Sequence, residues 1–572
     1  NLLDKTRTLD GCLGWVAIWE GDHHGVGVDF TPPETCPLAL DADLIEAWPF
    51  SEQAGDEAAA AVVAASLCDL SDHAWTCNWR PGEDVSADFV SAKITRGFNK
   101  PLARMARVGR ARFVLNNIDR QYSPALHAEV RPGASVLLEM TYDGVTAALF
   151  QGQIESIAPT SGRYEQRGVR FSCVGPMAKV DGVEARIPLE TDVTADEIIE
   201  DVILEVGNLL AGSYEVGINV CATSADRWTH DPVGGLGKIE PVYYERGEAA
   251  GKILDAVTGD WGLFYIAADG TPTFLNRHHL LLDDTTELTL TTPVSLGYRM
   301  ALSDVYNSVE VKCHPRAVGD SVEVLWQMET EQPPTIKPGA TLTMDCKFSD
   351  PLNEAITVGG MNCITPVATT DYTATSDEAG DGDDETASVG MVATFYGDRA
   401  VLELTNNDAD AIWMQTLRVR GTAIRAEAPW TALDQDATSQ ATYGARRLKV
   451  NAILASRPYE ARRLAEHLLA AYKDPRDVIT GVEFVGNTNA TLMAAARDLE
   501  LCDRVVLTEF QTGLSSCAGH IYGLQHAIGQ DGVSHVVTMD VQTAYDPGTP
   551  FRLETAPPGG GSALNSGHVL LY

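Results

Sequence analysis

The sequence predicts a mainly β protein with α+β parts, on three observations. From about Asp84, short runs rich in β-branched and aromatic residues follow one another closely. Fifty glycines and 28 prolines punctuate the chain at turn-forming positions. Apolar residues recur at helical spacing in only a few segments. The first strands are expected at 85–90 and 92–95, then at 111–115 before the polar turn Asn116-Asn117. Runs at 136–140 and 147–150 flank Tyr142-Asp143-Gly144, where the Asp-Gly pair favours a tight hairpin. Runs at 153–157 and 168–174 extend the meander, a spacing that suits a barrel or sandwich.

Helices have their own signals. Thr194 and Glu197 have the spacing of a capping box, and Ile198, Ile199, Val202, Ile203 and Val206 form one apolar face before Gly207. A second helix is expected over 248–258, leading into a hairpin of 261–266 and 273–276 around Asp269-Gly270. A third, over 459–472, places Ala461, Leu464, Leu468 and Leu469 on one side and stops before Pro475. The stretch 56–67, alanine-rich from Ala58, reads as helix or loop, and 46–50 reads as extended because Pro49 pushes Trp48 out of helical geometry. Residues 321–435 read as a separate β-domain, with strands at 340–344, 389–395, 400–405 and 417–420 and an acidic loop at 376–385. Alternating strands are expected to run on to about Ala544. Pro557-Pro558-Gly559-Gly560-Gly561-Ser562 has the composition of a flexible linker, and 568–572 reads as a strand to be added to a neighbour.

Composition narrows the function. With 80 acidic residues against 42 basic ones, the net charge is -38. Such a chain repels polyanions, which argues against stable nucleic-acid binding. It suits the wall of a conduit through which DNA slides, and equally suits plain solubility or adaptation to salt. Eleven cysteines without a CxxC pair resemble neither a disulfide framework nor a zinc site. No apolar run reaches the ~20 residues of a membrane span, and Asn1-Leu2-Leu3-Asp4 does not open a secretory signal.

Local chemistry is sparse. The pairs His23-His24 and His278-His279 are poor metal ligands, because neighbours on a strand point to opposite faces. Six carboxylates between Asp377 and Glu385 offer calcium-type oxygens without the spacing of an EF-hand, so an exposed acidic hairpin is the better reading. No metalloprotease, nucleophile-elbow or P-loop motif occurs. No catalytic residue, metal or cofactor is expected, and the chain is not expected to be an enzyme. Against the acidic background stands the segment 93–131. It holds nine cations, including Arg96, Arg104, Arg107, Arg110, Arg112 and Arg120, and two acids, Asp119 and Glu129.

Several stretches together resemble one family. They begin with Val90-Ser91-Ala92-Lys93-Ile94-Thr95-Arg96-Gly97 and the run from Gly109 to Pro124 that contains Leu115-Asn116-Asn117-Ile118-Asp119-Arg120-Gln121-Tyr122-Ser123-Pro124. Leu149-Phe150-Gln151-Gly152-Gln153-Ile154, Trp261-Gly262-Leu263-Phe264-Tyr265 and Val305-Tyr306-Asn307-Ser308-Val309 follow. The region from Arg462 to Pro475, Leu499-Glu500-Leu501-Cys502-Asp503-Arg504-Val505 and the run 521–528 complete the set. In this order they resemble the minor tail, or tail-tip baseplate hub, proteins of long-tailed phages, especially those of actinobacterial hosts, over roughly 84–556.

The resemblance implies tandem hub-type β-barrel domains plus an inserted β-sandwich domain. The expected division is 1–83, of unassigned fold; 84–186, first hub barrel; 187–320, α+β hub domain; 321–435, inserted sandwich; 436–556, second hub barrel region with helix; and 557–572, flexible tail. It further implies a homotrimer at a virion tail tip, assembled in the host cytoplasm, closing the tail tube around an acidic channel for genome passage. The implied partners are copies of the chain, tail tube and distal tail proteins, and tip or fibre proteins. On this reading the six arginines dock an acidic neighbouring subunit; the alternative is a solvated loop with scattered cations. A receptor- or carbohydrate-binding tail module, with Trp413 or Trp430 stacking on sugar, is the second reading, and a cell-wall hydrolase the third.

Overall fold

A computed structural model describes residues 84–209 and 247–544, apart from short interruptions at 128–129, 161–166, 186–188, 190–192, 278, 283–284, 330–331, 351–352 and 530–533, together with four short strands before residue 70. Strands take 49% and helices 19%, so the structure is mainly β. The chain divides into two units, 1–87 with 210–215, and 88–209 with 216–572. In the first, Trp15–Trp19 pairs antiparallel with Leu44–Pro49, and Glu57–Ala59 with Leu67–Asp69. The extended reading holds for 46–49. The helix expected at 56–67 does not, because both its ends pair as strands; alanine's helix propensity is a weak preference that strand pairing overrides. His23, His24 and the segment 557–572 lie outside the described residues.

The second unit is organised by an eleven-stranded sheet. Its main path runs Ser295–Met300, Asp477–Val485, His535–Thr543, Leu514–Ile528, Phe89–Gly97, Arg110–Asn116, Gly168–Val174, Val145–Pro159, Ser135–Tyr142. Arg504–Glu509 pairs with the first half of Leu514–Ile528 and brings in Leu288–Leu290 as a parallel neighbour. The first five of these strands in sequence thus share a sheet with strands from beyond residue 470. The joint is Phe89–Gly97 against Leu514–Ile528, with Arg96 opposite Leu524 and Ile94 opposite His526. The Asp143-Gly144 hairpin is present, with φ of 51° and 74° at its two residues, as a tight turn requires.

No sheet closes into a barrel among the described residues. The main sheet ends at Ser135–Tyr142 on one side and Ser295–Met300 on the other, each paired along one edge only. The closed barrels implied by the resemblance are therefore not seen. Under the sheet, Ile479, Val482, Phe484, Val505, Leu507, Ile521, Leu524, Val537 and Met539 form one core with Leu263, Tyr265 and Leu275 of the hairpin Leu263–Ile266/Pro272–Leu275. The helix Ala490–Asp498 joins this core through Ala495 and Ala496. It falls where strands were expected; the Asn489 side chain caps it by accepting from the Leu492 N–H at 2.9 Å.

Elsewhere, the capping box is real: the Thr194 N–H donates to Glu197 Oε2 at 2.6 Å at the start of Ala195–Leu209. Ser308–Cys313 lies between Trp430–Gln435 and Arg447–Ala452 in a three-stranded sheet. The helix Pro458–Tyr472 covers this sheet, packing Leu464, Ala465 and Leu468 on Val309, Val311 and Cys313. Between these elements, Arg316–Gln327 and Ile412–Ala426 anchor a five-stranded sheet. It shares a core with Thr341–Lys347, Val389–Phe395 and Arg399–Asn406, around Leu325, Phe348, Leu402, Leu404, Met414 and Val419. Trp413 belongs to this region, whereas Trp430 is in the three-stranded sheet, so the two tryptophans stand on different sheets.

Candidate docking surface

Strand parity sorts the basic segment. On Phe89–Gly97, Ala92, Ile94 and Arg96 face inward and Lys93 and Thr95 outward. On Arg110–Asn116, Ala111, Phe113 and Leu115 face inward and Arg110 and Arg112 outward. Arg96 is therefore buried, and pairs with Glu500, 404 residues away, at 2.5 Å. Glu500 also accepts from the backbone of Ala268 at 2.8 Å and of Leu501 at 2.7 Å. Arg96 thus braces the joint of the main sheet. Arg104 is half-buried. It donates to the carbonyl of Pro101 at 2.9 Å, and its guanidinium lies 4.7 Å from the centre of the Trp261 ring, a cation–π geometry.

The other four candidates, Arg107, Arg110, Arg112 and Arg120, are exposed. Arg120 sits at φ 64° in a turn that Asn117 organises, accepting from the Tyr122 N–H and donating to Ser123 Oγ at 3.1 Å. Arg110 and Arg112 share an outer face with two cations of neighbouring strands. Lys93 is the direct cross-strand partner of Arg112, and Arg170 of Gly168–Val174 lies opposite Val114. Glu155 pairs with Arg110 at 3.3 Å. Among the described residues, no carboxylate lies within ion-pair distance of Lys93, Arg112 or Arg170. Like charges directly opposite on a sheet destabilise the pair, so this face carries a cost that the fold itself does not relieve. Arg170 was missed in the sequence because its membership depends on strand order.

The acidic loop is a folded turn. Asp377 accepts from the Asp381 N–H at 3.0 Å, and Gln415 donates to the Asp377 carbonyl at 3.1 Å. The hydroxyl and backbone N–H of Thr386 hold Asp384 below the usual carboxylate range. No group of three or more His, Cys, Asp or Glu side chains assembles as a metal site among the described residues.

Sequence reasoning also missed a buried histidine pair. His526 Nδ1 lies 3.0 Å from His535 Nε2 beneath the joint, with His526 only 1% exposed. Burial, then His535 and Arg96, push His526 well below the ordinary imidazole range, and burial lowers His535. Below about pH 6.5 the unfolded chain binds protons that the folded pair refuses. The pair's contribution is therefore complete above that pH and is lost as pH falls. His526→Leu is expected to flatten the fall in urea-unfolding free energy between pH 6.5 and 5, by at most the slope of one bound proton, about 1 kcal/mol per pH unit. An unchanged slope would show that the pair does not govern it.

No family model matches the sequence, and no curated protein matches it. Solved structures do align. The 43 kDa tail protein of prophage MuSo2 from Shewanella oneidensis is similar over 79% of this chain and 94% of its own, at 11% identity and a TM-score of 0.40. A tail protein from Neisseria meningitidis MC58 aligns over 80% and 92%, at 9% identity and 0.39. Prophage tail protein gp18 from Listeria monocytogenes EGD-e aligns over 81% and 92%, at 7% identity and 0.35. No helix among the described residues is long and apolar enough to cross a membrane.

Proposed function

We propose that the chain is a structural hub of a phage tail tip, which joins with copies of itself into a three-fold ring that closes the tail tube. The observation that carries this reading is the main sheet, built from both ends of the second unit and left open at two different edges. An edge strand is a template for pairing with another chain, and contact between two different surfaces of one molecule generates a ring when the rotation closes. The Ser295–Met300 edge also carries exposed apolar side chains at its two ends: Val294, just before it, is 63% and Met300 57% exposed. The cationic face of Lys93, Arg110, Arg112 and Arg170 is the docking surface for acidic neighbours in the tail, since complementary charge fixes register and speeds encounter. Net charge of -38 suits a bore that DNA crosses without adhering. The action is geometric, with no bond made or broken.

Imaging and light scattering of the purified chain test this. A three-fold ring with a central hole is expected. Val294→Glu with Met300→Glu should yield monomers that keep the wild-type circular dichroism, because both positions are solvent-facing. Lys93→Glu with Arg112→Glu should weaken docking to tail proteins, most clearly at low salt, where exposed charges are least screened. A wild-type chain that stays monomeric at high concentration overturns the ring.

A further inference from the structure

A second group of cations lines a cleft: Arg104, Arg277 and Arg476 meet there with His467 and His520. The cleft has a volume of about 80 Å³, and no aspartate or glutamate lines it, in a chain with 80 acidic residues. A water needs roughly 10–15 Å³ of such space, so the cleft holds several waters or one small polyatomic ion. Each guanidinium is fixed in place. Arg277 is neutralised by Asp260 at 2.9 Å, from outside the lining. Arg104 is oriented by the Pro101 carbonyl and the Trp261 ring. Arg476 donates to the Thr543 carbonyl and lies 5.1 Å from the centre of the Tyr472 ring, contacts that set its direction and leave its charge in place.

We propose that this cleft binds one tetrahedral oxyanion, a phosphate group or sulfate, with Arg476 as its principal donor and Arg104 and the Asn276 amide beside it. Planar guanidinium forks match the edge of such an anion, and their hydrogen bonds to it are charge-assisted. Pre-oriented cations spend little rotamer entropy on binding. The site lies within one chain, beside Asp477, which pairs with Met300 of the Ser295–Met300 edge.

Calorimetric titration with inorganic phosphate and with sodium sulfate, against sodium chloride at equal ionic strength, tests it. Saturable binding at one ion per chain is expected for phosphate and sulfate and not for chloride. Arg476→Gln should weaken binding roughly tenfold or more, and Arg476→Lys less, because a point charge keeps attraction and loses the fork. Because Arg476 also braces Thr543, a second variant is needed: His467 lines the cleft from the helix Pro458–Tyr472 and is assigned as a further donor to the anion, so weakening in His467→Gln does not depend on that contact. Phosphoserine run in parallel distinguishes a phosphate monoester from the free ion, and tighter binding of either supports the site. No saturable binding, or affinity unchanged in both Arg476→Gln and His467→Gln, overturns it.

Discussion

Gly97→Ala is expected to destabilise the second unit by about 2–6 kcal/mol, and to do so at the joint of the main sheet. Gly97 ends Phe89–Gly97 at φ +132°, and a Cβ there would lie 2.5 Å from the Tyr522 carbonyl oxygen and 2.6 Å from Gly523 Cα. Both are backbone atoms, so neither can swing aside. The surroundings are locked on both sides: the Phe98 N–H donates to the Tyr522 carbonyl at 2.7 Å, and the Arg107 N–H to that of Gly97 at 2.9 Å. Two costs add, a backbone conformation that L-residues avoid, at about 1–3 kcal/mol, and overpacking, at about 1–3 kcal/mol. Against the ~5–15 kcal/mol that holds a typical domain, the sum is large. Gly133→Ala is the control. Its φ is +90° but nothing lies within 4 Å of the added methyl, so it bears the conformational cost alone. Urea unfolding should rank wild type above Gly133→Ala above Gly97→Ala. Equal midpoints for the two variants would show that close approach at Tyr522 contributes nothing.

That joint also marks where legibility in the sequence ends. The Thr194/Glu197 cap, the Asp143-Gly144 turn and the apolar stripe of Pro458–Tyr472 are local signals, and each predicted the element found. Strand pairing across the chain has no local signal. Nothing near Arg96 announces Glu500, 404 residues on, so a run of cations that looks uniform in sequence divides in space. Parity alone could have placed Arg110 and Arg112 outward, because Ala111, Phe113 and Leu115 alternate with them. For Arg96 the same rule gives an inward position beside Ile94, and a buried guanidinium implies a buried carboxylate without saying which. Arg170 belongs to the face only through the strand order, which sets it opposite Val114. The helix Ala490–Asp498 was lost for another reason: its short alanine run lies between strongly alternating strands, and the Asn489 cap was the one marker of its start.

Asp371→Ala is expected to cost about 2–3 kcal/mol and to loosen the sheets between Arg316 and Ala426. The Asp371 side chain is 2% exposed and receives Arg420 in a two-point contact, Nε at 2.6 Å and Nη2 at 2.7 Å, with Arg418 Nε at 3.2 Å. It also accepts from the Val367 N–H at 3.0 Å, while its own N–H donates to the Val367 carbonyl at 2.7 Å. One carboxylate thereby fixes the turn before Tyr372–Thr375 to Ile412–Ala426. Removing one partner of a fully buried pair costs about 3–5 kcal/mol; Arg420 keeps 27% exposure, which places this case lower. Burial alone would raise the Asp371 pKa, but Arg420, the Val367 N–H and Arg418 outweigh it and hold the carboxyl below its ordinary value. The sign follows from that depression. Above about pH 4, where an unfolded aspartate is ionised, the stabilisation is complete, and it is lost as pH falls through the folded value. The gap in unfolding free energy between wild type and Asp371→Ala should therefore stay constant from pH 8 to 5 and narrow below 4. Proteolysis within 365–375 should accelerate in the variant at neutral pH. A gap that widens on acidification would mean that this carboxylate does not hold the turn by its charge.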